Sequence, residues 1–245
     1  MEKGNKIINT RHIQLFVDFP SEEKEKFHNA YRKLYDWQRI VFKAANLTAT
    51  NLYIQDQIKE LFYFHDDVQV KLADRSKNAE GVFTCSRENT LYRILSGKFK
   101  SEIPASILSL VGRSVNQYYM AEKSEYFEGK RSLRSYKSTI PVPFRAKSIF
   151  NLRYDEEIKN FRFSLFHDEK YHIPFRTYLG RDGNDNRVIL ERCIKGEYKI
   201  CDSFYALKKK GKIFLYLVVE MLKEKKEVSP ENEASTKLSF HAPLV

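Results

Sequence analysis

The hydrophobic period of this chain changes at Gly129, and that change limits the folds open to it more than any other feature. Upstream, apolar residues recur at three- and four-residue intervals, the spacing of one helix face. Phe27, Tyr31, Leu34, Trp37, Val41 and Ala44 keep that spacing up to about Ala45. Pro20 and Ser21 give a start signal, with Ser21 as cap and Glu22 and Glu23 at the positive end of the dipole. The spacing predicts a second helix over Ala49 to Phe64, on Leu52, Ile58, Leu61 and Phe62, and a third near Arg87 to Ser96 that stops at Gly97. A fourth starts at Pro104, a residue suited to a first helical turn, and ends before Gly129.

Downstream, short runs suited to strands take over. Candidates are Ser138 to Phe144, Ser148 to Arg153, Asn160 to Phe166, His172 to Leu179, Arg187 to Ile194, Tyr198 to Leu207 and Lys212 to Met221. Gly180 to Asn186, reading GRDGNDN, has the composition of a hairpin loop between two of them. One more strand precedes the helices, at His12 to Asp18, where Ile13, Leu15 and Val17 alternate. The expected fold class is therefore α+β: a small β-barrel interrupted by a helical insertion. The expected divisions are residues 1–20 as first barrel strand, 21–128 as helices, 129–222 as the rest of the barrel, and 223–245 as a charged linker with a short apolar end.

Charge narrows the partners. Lys and Arg number 43 against 32 Asp and Glu, a formal net charge of +11. That excess favours a polyanion, nucleic acid before an anionic membrane. Tyr (15) and Phe (18) supply rings that can stack on bases, although most such rings fill cores. The longest apolar run, Ile213 to Val219, is far short of the roughly 20 residues a spanning helix needs. The opening MEKGNKIINT has no apolar signal region, so the expected location is the cytoplasm and no membrane partner is expected.

The densest local signal lies where helices give way to strands. From Gly129 to Lys147 there are six basic residues, Lys130, Arg131, Arg134, Lys137, Arg145 and Lys147, and no acidic one, with Tyr136 and Phe144 among them. Such cations neutralise phosphates and release counterions while a neighbouring ring stacks on a base. A second cluster, Lys208, Lys209, Lys210 and Lys212, leads into the last long strand and fits either a solvated hairpin tip or a phosphate contact. With Tyr136 and Arg176, these residues make up the expected nucleic-acid-binding set.

Catalytic patterns are weak. Asp182 and Asp185 lack the further ligands of a calcium loop and read as turn residues. His65, Asp66 and Asp67 read as a helix-end loop, and the other histidines form no HxxxH or HxH pair. Cys85, Cys193 and Cys201 share no CxxC spacing and are expected to be buried reduced thiols. No GxSxG, Walker or Rossmann signature occurs. No catalytic residue, metal ligand or cofactor is assigned, though carboxylates distant in sequence can converge in a metal-dependent nuclease.

Two stretches carry a family resemblance. Lys130 to Tyr154, KRSLRSYKSTIPVPFRAKSIFNLRY, is similar to the basic, Pro-containing lead-in to the barrel of TnpB transposon proteins and type V CRISPR effectors. Ile173 to Met221 resembles a later part of the same barrel. There a strand ending in Arg precedes a loop, a GEYK-like turn, and a Lys-rich turn into a strand of the type seen here as IFLYLVVE. The order of one N-terminal strand, helices and further strands also matches, so the resemblance spans nearly the whole chain.

That resemblance implies an oligonucleotide-binding-like wedge domain holding a guide RNA, with an inserted recognition lobe along the guide–target heteroduplex. Base pairing would supply most specificity, and the protein would sense backbone shape and a short motif in flanking duplex. The implied partners are a guide RNA and target double-stranded DNA. In the family a RuvC-like nuclease domain follows the strand corresponding to Lys212 to Met221. Here no DxG motif follows Lys237 and no cysteine-rich zinc ribbon occurs, so the expectation is a module without its own nuclease centre. It would act with a separate RuvC-type nuclease subunit, through Leu238 to Val245 as a docking strand, or as a binding-only regulator. The competing readings are an unguided single-stranded RNA or DNA binder and a metal-dependent nuclease.

Overall fold

A single 12-residue strand, β1 (Lys6–Val17), organises the sheet that everything else packs on. It lies between β8 (Ile213–Leu222) and β5 (Ile173–Tyr178), antiparallel to both. The structure is a computed structural model that describes residues 6–63, 87–180, 183–208 and 211–222. The expectations placed on His65, Asp66, Asp67, Cys85, Asp182, Lys209, Lys210 and the segment 223–245 fall outside those residues.

Three helices separate β1 from the next strand: α1 (Lys24–Tyr63), α2 (Arg87–Phe99) and α3 (Ala105–Phe127). The chain then runs through β2 (Val142–Phe144), a 3-10 turn at Ala146–Ser148, β3 (Ile149–Asp155), β4 (Asn160–Leu165) and β5. A fourth helix, α4 (Asn184–Ile194), precedes β6 (Lys199–Ile200), β7 (Ser203–Leu207) and β8. The strands form one antiparallel sheet in the order β2-β7-β8-β1-β5-β4-β3, with β6 paired to β8.

That order forces the sheet to curl. Its two end strands, β2 and β3, are consecutive in the chain and joined only by the 3-10 turn. Five residue steps from Phe144 to Ile149 reach at most roughly 18 Å, whereas six flat interstrand gaps would separate the edges by roughly 29 Å. The result is a mixed α+β molecule with a curled, half-barrel sheet.

One face of the curl is the core. Ile13, Leu15 and Val17 of β1 are buried with Phe161, Phe163 and Leu165 of β4 and Ile213, Leu215, Leu217 and Val219 of β8. Helix α1 meets this core through Leu34 and Trp37. The Tyr205 hydroxyl donates to the Leu34 carbonyl (3.4 Å), and the Trp37 ring stands edge-on to Phe166 at 5.4 Å. Buried Tyr119 of α3 donates its hydroxyl to Asp56 of α1 (2.9 Å), whose carboxylate also receives Lys123 (3.1 Å). Among the described residues, no helix is long and apolar enough to cross a membrane.

Several expectations need correction. The two helices expected over Ser21 to Phe64 are one, beginning at Lys24, and Ser21 sits in the turn before it. The polar residues Asn46 and Thr48 do not break it. Thr48 bonds back to the Ala44 carbonyl (2.8 Å) and Asn46 to the Phe42 carbonyl (3.0 Å), while Ala44, Ala45, Ala49 and Leu52 continue the buried stripe. Helix α2 passes through Gly97, which costs an interior helix about 1 kcal/mol but does not end it.

Arg187 to Ile194 is helical, so GRDGNDN is not a β-hairpin loop. Ile189, Leu190 and Cys193 fall on one helical stripe facing the sheet, and Arg187 pairs with Glu191 one turn on (2.8 Å). Only Val142–Phe144 of the strand expected from Ser138 is extended in the sheet, and the one expected over Tyr198 to Leu207 breaks into β6 and β7. At that break, Asp202 accepts a hydrogen bond from the Ala146 amide (3.1 Å). Cys193 and Cys201 are free and half-buried rather than buried, and burial pushes the Cys193 thiol up to about 11.

Candidate nucleic-acid interface

The basic segment begins where α3 is turned back on itself. Gly129 (φ +69°) follows the helix. Its amide bonds the Tyr126 carbonyl (3.4 Å), and the Lys130 amide bonds the Glu125 carbonyl (2.9 Å). These two bonds are a Schellman cap, which needs a left-handed residue in the Gly129 position. The reversal sends Arg131 and Arg134 back along α3. There Arg131 Nη1 reaches Glu122 (2.7 Å) and its Nε reaches Glu125 (3.0 Å). Arg134 donates both Nε (3.1 Å) and Nη2 to the Glu122 carboxylate, which also accepts the Tyr126 hydroxyl. These bonds, led by the one from Arg134, hold the Glu122 carboxyl down at about 2.

The sequence count of six cations without an acid is therefore incomplete in space, because α3 and its C-cap residue Glu128 supply the acids. Lys130 pairs with Glu128 (2.5 Å), and Arg131 and Arg134 clamp the segment to the helix. Lys137 and Lys147 are exposed and make no ion pair among the described residues, and the Arg145 guanidinium donates to the Ser109 hydroxyl (3.4 Å). Tyr136 is fixed by Asn46, which donates to its carbonyl (3.1 Å) and accepts from its amide (3.0 Å); burial pushes its phenol up to about 12. Farther along this strap, Gln38 donates to the Ile140 carbonyl (3.1 Å).

The outward face of the sheet carries an array that the sequence pattern did not reveal, apart from Arg176. Side chains alternate across a strand, so the residues between the buried ones face out. Register aligns them in three rows about 7 Å apart. The first is Pro143, Phe204, Tyr216 and His12; the second is Ala206, which is itself buried, Phe214, Gln14 and Tyr178; the third is Phe16, Arg176, Arg162 and Arg153. Phe204 stacks on Tyr216 (4.7 Å), Tyr216 lies against His12 (4.7 Å), and His12 stacks on Phe214 (4.5 Å). Phe16 meets Tyr178 edge-on (5.9 Å) and carries the Arg176 guanidinium 5.4 Å from its ring centre. The signal was present in Ile213 to Val219, where Phe214 and Tyr216 alternate with Ile213, Leu215 and Leu217. Reading that run as uniformly apolar hid its outward half.

Three arginines directly across strands repel one another. Asp18 and Asp155 offset part of that: Arg162 sits 2.9 Å from each, and Arg176 is 3.9 Å from Asp18. Arg153 is exposed with no acidic partner among the described residues. A cleft of about 270 Å³ opens along this row, between Asp18, Arg153 and Arg162. Lys212 immediately precedes Ile213, the β8 residue paired with Leu15, and so lies at the arginine end of the face; Lys208, bonded through its amide to the Lys212 carbonyl (2.8 Å), lies beside it. Basic groups thus line one end of the aromatic rows. Among the described residues, no group of three or more His, Cys, Asp and Glu is placed to hold a metal ion.

No protein-family model matches the chain, and no curated protein matches it.

Proposed function

We propose that this chain binds nucleic acid, laying single-stranded or unpaired nucleotides on the outward face of the sheet. The three rows carry the reading. A sheet face presenting His12, Phe16, Tyr178, Phe204, Phe214 and Tyr216 beside Arg153, Arg162 and Arg176 joins stacking surfaces to phosphate-neutralising cations. Lys137, Lys147, Lys208 and Lys212 extend the positive field at its margins.

In its finer form, the proposal follows the resemblance to TnpB and type V effectors. The curled sheet is an oligonucleotide-binding-like wedge domain that grips a guide RNA. Helices α1 to α3 form an inserted recognition lobe along the guide–target duplex. The partners of that form are a guide RNA, target double-stranded DNA and a separate RuvC-type nuclease subunit, in the cytoplasm. A second reading, an unguided single-strand binder, is favoured by the stacking face itself, because every base has a π-face and stacking tolerates any sequence.

Sequencing the RNA that co-purifies with the chain, expressed with its native genomic neighbourhood, separates the two. One discrete, structured RNA encoded beside the gene is the expected result for the guided form. A broad mixture of host RNA supports the unguided form, and no bound nucleic acid overturns both.

A further inference from the structure

Where helices meet sheet, the molecule holds a cleft of about 370 Å³ whose walls are mainly apolar. Tyr118 and Val115 of α3 form one side, Tyr136 and Arg134 of the basic segment another, and Phe204 of β7 the third. Its volume lies near the lower end of the roughly 300–1,000 Å³ range of small-ligand pockets, suited to one planar ring system rather than a duplex.

Three features set it apart from a packing gap. Tyr118 is 54% exposed, a large ring left at the rim rather than folded into the core. The Arg134 guanidinium lies 5.1 Å from the Tyr118 ring centre and is locked in place by Glu122, so ring and cation form a fixed rim. The opposite wall is equally fixed, because Asn46 holds both backbone groups of Tyr136. The walls are therefore set before any ligand arrives, which lowers the ordering cost of binding.

Phe204 connects the cleft to the face described above, since it lines the cleft and begins the stack through Tyr216, His12 and Phe214. We propose that this cleft takes one unpaired nucleobase, turned out of the strand that lies on the sheet, between the rings of Tyr118, Tyr136 and Phe204. The charge around it fits that occupant: Arg134 stands at the rim, and exposed Lys137 lies one residue beyond Tyr136, where the flanking phosphates would pass. This inference rests on the nucleic-acid reading of the sheet face and adds a discrete base site to it.

The test is a fluorescence-anisotropy titration of the full chain with single-stranded oligoadenylates, as RNA and as DNA, intact or with one abasic position moved along the strand. Wild type is expected to lose about tenfold in affinity at one abasic position. Tyr118→Ala should lose a similar factor on the intact strand and no more on that abasic strand, with an unchanged salt slope, while Tyr118→Phe should bind as wild type. The ratio of RNA to DNA affinity reports which strand the cleft prefers. Salt-dependent binding with a flat abasic scan and a neutral Tyr118→Ala would overturn the base site and leave the sheet-face reading standing. No binding of either oligonucleotide would overturn both. Binding of a proline-rich peptide that depends on Tyr118 and that oligonucleotides do not displace would assign the cleft to a protein partner instead.

Discussion

Glu122 keeps its charge inside the fold because Arg131, Arg134 and Tyr126 all direct hydrogens at it. Its folded carboxyl titrates at about 2 against an ordinary 4.5. A depressed carboxylate stabilises the native state fully above its unfolded pKa and loses that contribution as pH falls through the folded one. The clamp should thus be intact above about pH 4.5 and weaken toward pH 2. In Glu122→Gln this acid-dependent contribution disappears, so its melting temperature should fall less than that of wild type over the same pH interval. Equal acid sensitivity in the two proteins would count against the clamp. The same geometry bears on Arg131 and Arg134. Replacing them would release the segment from α3 as well as remove charge, so Lys137 and Lys147 are the cleaner probes of phosphate binding.

At the level of elements, the backbone reversal at Gly129 is what brings those arginines to Glu122. Gly129→Ala forces a side chain into the left-handed region and should cost about 1 kcal/mol, read from chemical denaturation. The strap that follows depends on α1. Asn46→Ala removes the acceptor for the Tyr136 amide, and hydrogen exchange at that amide should accelerate while the amides of β8 stay protected. Much of this level was legible in sequence. Helix α3 has its expected ends because Pro104 and Gly129 are strong local signals. Alternation marks β1 from His12 on, although the strand begins six residues earlier, at Lys6, and β4, β5 and β8 lie close to the runs expected at Asn160 to Phe166, His172 to Leu179 and Lys212 to Met221. Helix α4 was not legible as a helix. Val188 to Leu190 is an apolar run of three β-compatible residues, and the helical stripe of Ile189, Leu190 and Cys193 becomes evident only once there is a sheet to pack on. The break expected in α1 failed for a related reason: Asn46 is spent on tethering Tyr136, a partner 90 residues away that no local rule contains.

For the whole molecule, the candidate site was legible as charge and hidden as geometry. A net +11 and the cations of Gly129 to Lys147 pointed to a polyanion. The acids that answer Arg131 and Arg134, and the rows that place Phe204 beside Tyr216 and His12, arise from long-range pairing and could be assembled only in three dimensions. Binding should weaken with salt, and removing one phosphate-neutralising cation should reduce the slope by about 0.7 on a single strand. Lys137→Ala with Lys147→Ala therefore predicts a slope shallower by about 1.4. An unchanged slope would remove those two lysines from the interface. Ultraviolet cross-linking of the bound RNA followed by mass spectrometry reads whether nucleotides lie on the outward rows of the sheet. Adducts are expected on Phe16, Tyr178, Phe204, Phe214 or Tyr216. Adducts confined to α1 and α2, with none on those strands, would contradict that placement.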